Sequence, residues 1–456
     1  MNRLFLPLSL ATLLMIGCGS EDSQFSFGNN PNPNPTASPT GSPTPTPNGI
    51  SLDSLDSSQA QGGGGTPHLN ATGGLVVFES FDFGANPAGD SFARDRTAAT
   101  LTLLSQTAGG VQGNAGSGEV KSDAAGRFVS FQSTATNLTP GDSNGTIDVF
   151  RKDRTTAALI RVNVSSGGAQ ANHLSGDAWI SGDGNLVCFD SLATNLVAGD
   201  VNGFLDIFVR DVTAGTTSLL STSAGGVQAN QRSFGPTISG DGSVVAFSSG
   251  ASNLVPGDTN GVTDVFVKNV PTGAIAVASI GLGGVPGNGA VTPFLFSDGI
   301  SLSNTGRFVA FSSQSTNLVV DDTNGVEDVF VRDMVAGTTR LVSQSTGGVL
   351  SNAASDYPSI SGDGRFVAFQ TAASNLDGGA ALTGGFINTY LYDTQTNRCQ
   401  RLSVALDGAA LNNFAGTPAI SQDGTRIVFS GTASNLVAGD NNNRQDVFSI
   451  ANSFLP

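Results

Sequence analysis

Three polar residues recur in the same order at five places in the chain: an aspartate, an asparagine two positions later, and a second aspartate four positions after that. Carboxylate and amide oxygens are the ligands that hard cations such as Ca²⁺ prefer, and a sharply turning loop can present several of them together. Glycine follows the asparagine in four copies and Asn443 in the fifth, and both residue types permit such a turn. The five copies are Asp142, Asn144, Asp148; Asp200, Asn202, Asp206; Asp258, Asn260, Asp264; Asp322, Asn324, Asp328; and Asp440, Asn442, Asp446.

Two interpretations of this D-x-N-x-x-x-D motif stay open. Its spacing is similar to the end of the calcium loops in EF-hands and in integrin-type propeller repeats, which implies bound calcium. An acidic ligand two positions earlier is missing, so backbone carbonyls or water would complete the site and the affinity would be weak, about 10⁻⁴ to 10⁻³ M. Alternatively, the aspartate and asparagine side chains only cap their own turns. The positions without the acidic ligand are Pro140, Ala198, Pro256, Val320 and Ala438.

Two further copies of the motif are degenerate. One keeps Asn86 and Asp90 but has Gly84 in place of the first aspartate. The other has Leu382, Gly384 and Asn388 at the three positions. Under either interpretation these two loops differ from the other five.

The motif belongs to a longer repeat that occurs seven times. Each copy contains a phrase like R-F-V-A-F, and the phrases are 53 to 64 residues apart. Each unit also contains four short segments rich in β-branched and aromatic residues, bounded by Gly, Asp, Asn and Ser, which is typical of strands. No segment has a sustained apolar period of 3.6 residues, so helix is expected to be nearly absent. The repeated phenylalanines are Phe78, Phe131, Phe189, Phe247, Phe311, Phe369 and Phe429.

Seven four-stranded units predict an all-β fold, a seven-bladed β-propeller of antiparallel blades, because radial repetition leaves no long exposed sheet edges. The phrases SGDGRFVAF, NLVPGDTNGVTDVFV and GTTRLVS resemble the TolB-like, WD-repeat-related propellers of bacterial envelope proteins. The resemblance covers about residues 50 to 452 and implies binding to envelope partners. The α/β domain that precedes the propeller of TolB has no counterpart here, so its role in the Tol system is not carried over.

The two ends of the repeat region complement each other. The last unit has only three strands, and the missing fourth strand matches the segment ISLDSLDSS at residues 50–58. We therefore expect the N-terminal strand to close the ring by joining the C-terminal blade, within a single propeller domain at 50–456. A fourth strand begins at the face opposite the second-to-third strand loops. The acidic loops are accordingly expected to share one face, with the preceding segment entering at the other.

The N-terminal residues resemble a bacterial lipoprotein signal. Residues 1–17 have a basic start and an apolar core too short to span a bilayer, which predicts a signal peptide. The sequence before Cys18 is similar to a lipobox, which implies lipidation of Cys18; cleavage as an ordinary signal peptide is the alternative. Residues 18–49 are rich in Pro, Thr, Ser and Asn and predict a disordered tether. We expect a lipid-anchored protein of the bacterial envelope, in the outer membrane and periplasm or at the cell surface.

Composition limits the function classes. A net charge of −16 argues against nucleic acid and anionic lipid surfaces as partners. Neither His68 nor His173 lies in a metal or triad spacing, and Cys188 is expected to be a core residue. We expect a monomeric binding or protein-interaction module for an envelope protein or glycan, without enzymatic activity and without a cofactor other than calcium. A calcium-dependent adhesin or glycan binder is one alternative, and a polysaccharide-degrading enzyme is the other.

Overall fold

The computed structural model describes residues 49–56, 58–84, 86–291, 299–377 and 385–455. These residues form seven four-stranded antiparallel sheets arranged as a propeller, so the predicted fold class is confirmed. The predicted signal peptide, Cys18, nearly all of the tether, and Leu382 and Gly384 lie outside the described residues.

The strands follow the repeat, with the blades numbered in chain order. Blade 1 contains β2 (Gly65–Leu69), β3 (Leu75–Ser80), β4 (Asp90–Asp95) and β5 (Thr100–Leu103); blade 2 contains β6 (Ser117–Ser122), β7 (Phe128–Ser133), β8 (Asp148–Asp153) and β9 (Leu159–Arg161); blade 3 contains β10 (Ser175–Ile180), β11 (Leu186–Ser191), β12 (Asp206–Asp211) and β13 (Thr216–Leu219). Blade 4 contains β14 (Ser233–Ile238), β15 (Val244–Ser249), β16 (Asp264–Asn269) and β17 (Ile275–Val277); blade 5 contains β18 (Ile300–Leu302), β19 (Phe308–Ser313), β20 (Asp328–Asp333) and β21 (Thr338–Leu341). Blade 6 contains β22 (Ser355–Ile360), β23 (Phe366–Thr371), β24 (Asn388–Asp393) and β25 (Arg398–Arg401); blade 7 contains β26 (Ala415–Ile420), β27 (Arg426–Gly431), β28 (Asp446–Ala451) and β1 (Ser51–Leu52).

The repeated aromatic residues form the core, as the sequence predicts. In blade 3, Phe189 of the second strand lies opposite Phe208 of the third, and both are fully buried with ring centroids 5.8 Å apart. The same stacked pair occurs in every blade, with Tyr390 in place of phenylalanine in blade 6. Burying each such ring contributes roughly 1.5–3 kcal/mol. The repeat of the phrase R-F-V-A-F is therefore a repeat of core contacts.

The apolar clusters lie between blades rather than within them. One cluster combines Cys188 and Ile207 of blade 3 with Val245 and Phe247 of blade 4. Cys188 is buried and unpaired, which confirms the prediction that it is a core residue, and Cys399 is likewise buried and free. Each blade consequently depends on its neighbours to cover its apolar surface.

A basic residue at the fifth position of the third strand ties each of the first four blades to the connection before it. Lys268 Nζ donates to the carbonyl oxygen of Thr222 at 2.6 Å, and Lys152 Nζ donates to that of Gln106 at 2.7 Å. Arg94 and Arg210 make the corresponding bonds in blades 1 and 3. Burial lowers the pKa of Lys152 to about 8. These four basic side chains donate their hydrogen bonds within the ring, so those donors are not available to a ligand.

The N-terminal segment completes blade 7. β1 pairs antiparallel with β28, with Ser51 opposite Ser449 and Leu52 opposite Phe448. Ile50 is 1% exposed and packs in the core cluster of this blade. Because β28 starts at the acidic loop and β1 runs the other way, the chain enters at the end of the blade opposite that loop.

Helix is nearly absent from the described residues, where it amounts to one 3₁₀ turn, Leu282–Gly284. Nothing helical in the described ranges is long and apolar enough to cross a membrane.

Replacing Ile50 by alanine tests the closure of the ring. The substitution removes buried methyl groups from the blade 7 core, so the free energy of unfolding should fall by about 2–4 kcal/mol in denaturant titrations. Val201→Ala is the matched control, because Val201 is 83% exposed and its loss should cost under about 0.5 kcal/mol. Equal effects of the two substitutions would mean that the N-terminal segment does not pack on blade 7.

Candidate functional site

The five acidic loops join the second strand of a blade to its third. The last aspartate of each motif is the first residue of the third strand, as Asp206 is for β12. The residue after the asparagine has a positive φ in every copy, 71° for Gly203 and 55° for Asn443, so the predicted turn is present. Since the loops connect equivalent strand ends, they share one face of the propeller, together with the connections between blades.

The last aspartate of each motif is buried and joins the loop to the following connection. Ser221 Oγ donates to Asp206 at 2.5 Å, Ser279 Oγ donates to Asp264 at 2.6 Å, and Asn163 Nδ2 donates to Asp148 at 2.6 Å. Each of these serine oxygens also accepts the backbone N–H of the residue that follows the aspartate. In blade 4, for example, the N–H of Val265 donates to Ser279 Oγ at 3.0 Å. Blade 1 keeps this arrangement with Asp90, although Gly84 replaces its first aspartate. This half of the motif is therefore structural.

A glutamine amide lies between the two aspartates in three of the five loops. Gln228 Nε2 donates to Asp200 at 2.7 Å and to Asp206 at 3.0 Å. Gln170 makes the same two bonds in blade 2, at 3.0 Å each, and Gln61 makes them in blade 7 at 2.9 and 3.3 Å. In blade 2, Arg161 also lies 3.0 Å from Asp148. These amide-bridged loops place a protein donor where the calcium interpretation of the motif would place a cation.

Blades 4 and 5 lack this glutamine, because Pro286 and Leu350 take its place in the connection. In blade 4, burial and then the charge of Asp264 raise the pKa of Asp258 to about 6. In blade 5, burial raises the pKa of Asp328 to about 6, with further contributions from Asp322 and Glu327. The first and last aspartates of these unbridged loops therefore repel each other without the glutamine amide that joins them in the other three loops.

Paired asparagines fix the same loops from the other side, and the sequence analysis did not identify them. Asn230 donates its backbone N–H to Asn253 Oδ1 at 3.0 Å, and Asn253 Nδ2 donates to the carbonyl oxygen of Gln228 at 2.9 Å. Equivalent pairs occur from Asn114 with Asn137 to Asn412 with Asn435. The recurrence of Asn in the phrases Q-x-N and S-N-L was the available signal.

A second group of chemically active residues lies at the centre of the propeller. The first strands of successive blades contact one another around the axis, and six of them are interrupted by a register shift. The residue at this bulge has a positive φ although it is glycine in only one of the six blades. The bulge residues are Thr66, Glu119, Asp177, Gly235, Tyr357 and Thr417, with φ from 43° to 59°.

The bulges are held by the neighbouring blade. Gln370 Oε1 of blade 6 accepts the backbone N–H of Thr417 at 2.7 Å, and Gln132 Oε1 of blade 2 accepts that of Asp177 at 3.2 Å. A left-handed conformation costs a residue with a side chain about 1–3 kcal/mol. β-bulges of this kind re-aim side chains beside functional sites.

Three bulge residues line a small polar pocket, which we name the channel pocket. Lys121 Nζ lies 3.9 Å from a carboxylate oxygen of Glu119 and 4.9 Å from the ring centroid of Trp179. The imidazole of His68 packs edge-on against Trp179 with centroids 5.1 Å apart. The pocket is lined by Glu119, Lys121, Asp177, Ala178, Trp179, Gly235, Pro236 and Ile300.

Buried carboxyl groups occur near the axis, and two of them, Glu79 and Asp190, interact with residues that line the channel pocket. Burial raises the pKa of Glu79 to about 7, against the opposing charge of Lys121, and raises that of Asp190 to about 6. Burial likewise raises the pKa of Asp356 in blade 6 to about 7. Together with Glu119 and Asp177, these groups make the centre of the ring acidic.

Sequence reasoning missed this group because the first-strand residues differ from blade to blade. The segments SGEVKS, SGDAWI and SDYPSI are the first strands of blades 2, 3 and 6, and the third residue of each is of a different type. Charged residues and the chain's only tryptophan, placed in the first-strand segments of the repeat, were the available signal. His173, by contrast, is exposed on a connection and joins no cluster. Among the described residues, no three His, Cys, Asp or Glu side chains converge as a metal site.

Replacing Glu79 by glutamine tests the acidity of the channel. Glutamine already occupies the equivalent second-strand position at Gln132 and Gln370. Since the folded-state pKa of Glu79 is raised, its contribution to stability is fully present below its unfolded pKa of about 4.5 and is lost as the pH rises through about 7. The variant should therefore gain about 1–3 kcal/mol over the wild type at pH 8 relative to pH 4.5, in denaturant titrations. A difference that does not change with pH would show that Glu79 ionises normally.

No protein-family model and no curated protein matches this sequence. Among solved structures, the β-propeller domain of the Trilobed protease from Pyrococcus furiosus is similar with a TM-score of 0.53 and 8% identity, over 85% of this chain and 95% of that one. Oligogalacturonate lyase in complex with manganese is similar with a TM-score of 0.50 and 12% identity, over 89% and 91%. Putative TolB from Agrobacterium tumefaciens gives 0.39 and 13%, over 77% and 94%. Identities this low show the fold alone, and that fold is the predicted propeller.

Proposed function

We propose that the protein is a binding module of the bacterial cell envelope, and that its ligand enters the channel pocket. The observation that carries this proposal is the set of five side-chain-bearing residues held in a left-handed conformation around the channel. Strain of this kind is concentrated at functional sites, because the surrounding structure must stabilise it. A purely structural bulge would be served best by glycine, as at Gly235.

The chemistry of the channel pocket favours a neutral or amine-bearing ligand. Glu119 lies beside Lys121, and Asp177 is hydrogen-bonded with Asp190. The remaining acceptor positions of these carboxyl groups suit ammonium or hydroxyl groups, and Trp179 offers an aromatic face beside them. Lys121 already has carboxylate and aromatic neighbours, so it offers little to an anion. An envelope glycan with amino sugars or a basic segment of an envelope protein fits this description.

The entry of the chain supports an orientation for this module. The first described residues lie at the end of blade 7 opposite its acidic loop. A tether and a lipid on Cys18 would then hold the face that carries the acidic loops, which we name the loop face, away from the membrane and toward partners. Lipidation of Cys18 is tested by mass spectrometry of the full-length protein after expression in bacteria.

Binding is measured through Trp179, which is the only tryptophan and so reports on the channel pocket alone. Titration with chitosan oligosaccharides should change its fluorescence in a saturable way, and oligogalacturonates should not. Asp177→Asn should weaken binding at least about tenfold, because it removes a charge-assisted hydrogen bond. Asp407→Asn, on an exposed turn, is the control for the loss of one negative charge and should bind normally.

Binding by the Asp177→Asn variant with unchanged affinity would contradict the assignment of the channel pocket. The same mixtures distinguish binding from cleavage, since the alternative of a polysaccharide-degrading enzyme requires release of shorter products over time. If products are released and replacing Glu119 or Asp177 abolishes their release, the channel pocket is a catalytic site and not only a binding site.

A second candidate is a calcium-dependent glycan binder or adhesin, favoured by the unbridged aspartate pairs in blades 4 and 5 on the loop face. Calcium bound only by the folded protein should raise the melting temperature by about 1–3 °C at 10 mM, and a chelator should reverse the rise. Sodium chloride of equal ionic strength controls for screening. The absence of a shift would favour the interpretation that the loops are structural turns.

A further inference from the structure

One oxygen in the loop of blade 5 sets this loop apart from the other four acidic loops. Asp322 is 7% exposed, and its Oδ1 is buried with no hydrogen-bond partner. The other aspartate of the loop, Asp328, is fully buried and accepts bonds from Ser343 Oγ at 2.5 Å and Asn324 Nδ2 at 2.7 Å. A buried carboxylate oxygen without a donor is unfavourable and calls for a partner.

The missing partner is identified by comparison with the amide-bridged loops. In blade 3, the two N–H groups of Gln228 serve one aspartate each. Leu350 stands at the equivalent position in blade 5 and has no donor to offer. The pair is therefore left with two carboxylates facing the place that the amide fills elsewhere.

We propose that the loop of blade 5 binds one divalent cation between Asp322 and Asp328, and that the amide-bridged loops of blades 2, 3 and 7 bind none. The inference rests on the calcium-dependent form of the proposed function and narrows it to one loop. It also assigns the glutamine amide as a group that closes a loop to a cation.

The composition of the loop fits a hard cation bound weakly. Asp321 and Glu327 each precede one aspartate of the pair and add negative charge within the eight residues 321–328. Gly325 has a φ of 67°, which lets the loop turn back on itself. With two aspartates and no third such side chain converging among the described residues, carbonyl oxygens and water complete the coordination, as in weak extracellular calcium sites. Blade 4 also lacks the glutamine, but the unpaired buried oxygen is found at Asp322 and not at Asp258.

The test counts bound Mn²⁺ per chain by electron paramagnetic resonance, using the loss of the free-ion signal in the full-length protein and competition by Ca²⁺. Leu350→Gln should lower the count by one, because the new amide fills the space between the carboxylates. Asp322→Asn should lower it by one as well. Asp200→Asn, in an amide-bridged loop, is the matched control and should leave it unchanged.

Several results would overturn the inference, and they are distinguishable. Loss of one ion in Asp200→Asn would mean that bridged loops bind cations too, which rejects the inference while keeping the calcium-dependent function. No bound Mn²⁺ in the wild type, together with no calcium effect on melting, would reject both. An unchanged count in Leu350→Gln, with a wild-type melting temperature showing that the variant folds, would reject the role of the glutamine.

Discussion

In six of the seven blades, a buried carboxylate at the first position of the third strand holds the blade to the connection that follows it, and much of the ring depends on this contact. In blade 3, Asp206 meets Ser221 and Gln228, both from the segment that leads into blade 4. Burying a charge is costly unless hydrogen bonds compensate for it, so the loop, the strand and the connection are ordered together. Blade 6 makes the contact with a neutral group, since Ser403 Oγ donates to Asn388 Oδ1 at 3.2 Å.

This constraint separates the residues whose contacts recur from blade to blade from those that the repeat does not require. Contacts between strands, loops and connections of the ring engage the last aspartates, the paired asparagines and the basic residues of the third strands. The channel pocket differs, because Glu119, Asp177 and Trp179 vary between blades and are not required by the repeat. A fold supports many unrelated functions, so the function has to be argued from such site residues and not from the ring.

The sequence was sufficient for the fold because the repeat places apolar and turn residues at fixed intervals. The stacked phenylalanines and the left-handed Gly203 and Asn443 follow directly from local patterns. The partners of the acidic loops did not follow, because Gln228 lies 28 residues after Asp200, and Gln61 lies 379 residues before Asp440. Only ring closure and the path of the connections bring these groups together. The channel pocket escaped prediction for a related reason, since its residues share a place in the fold and not a pattern in the chain.

The loop of blade 5 and the amide-bridged loops are distinguished most directly by anomalous diffraction from crystals of the protein grown with Mn²⁺. The account predicts a manganese peak between Asp322 and Asp328, and none between Asp200 and Asp206, where the Gln228 amide should remain in place. Manganese between the aspartates of an amide-bridged loop, or an empty loop in blade 5 at saturating Mn²⁺, would contradict it.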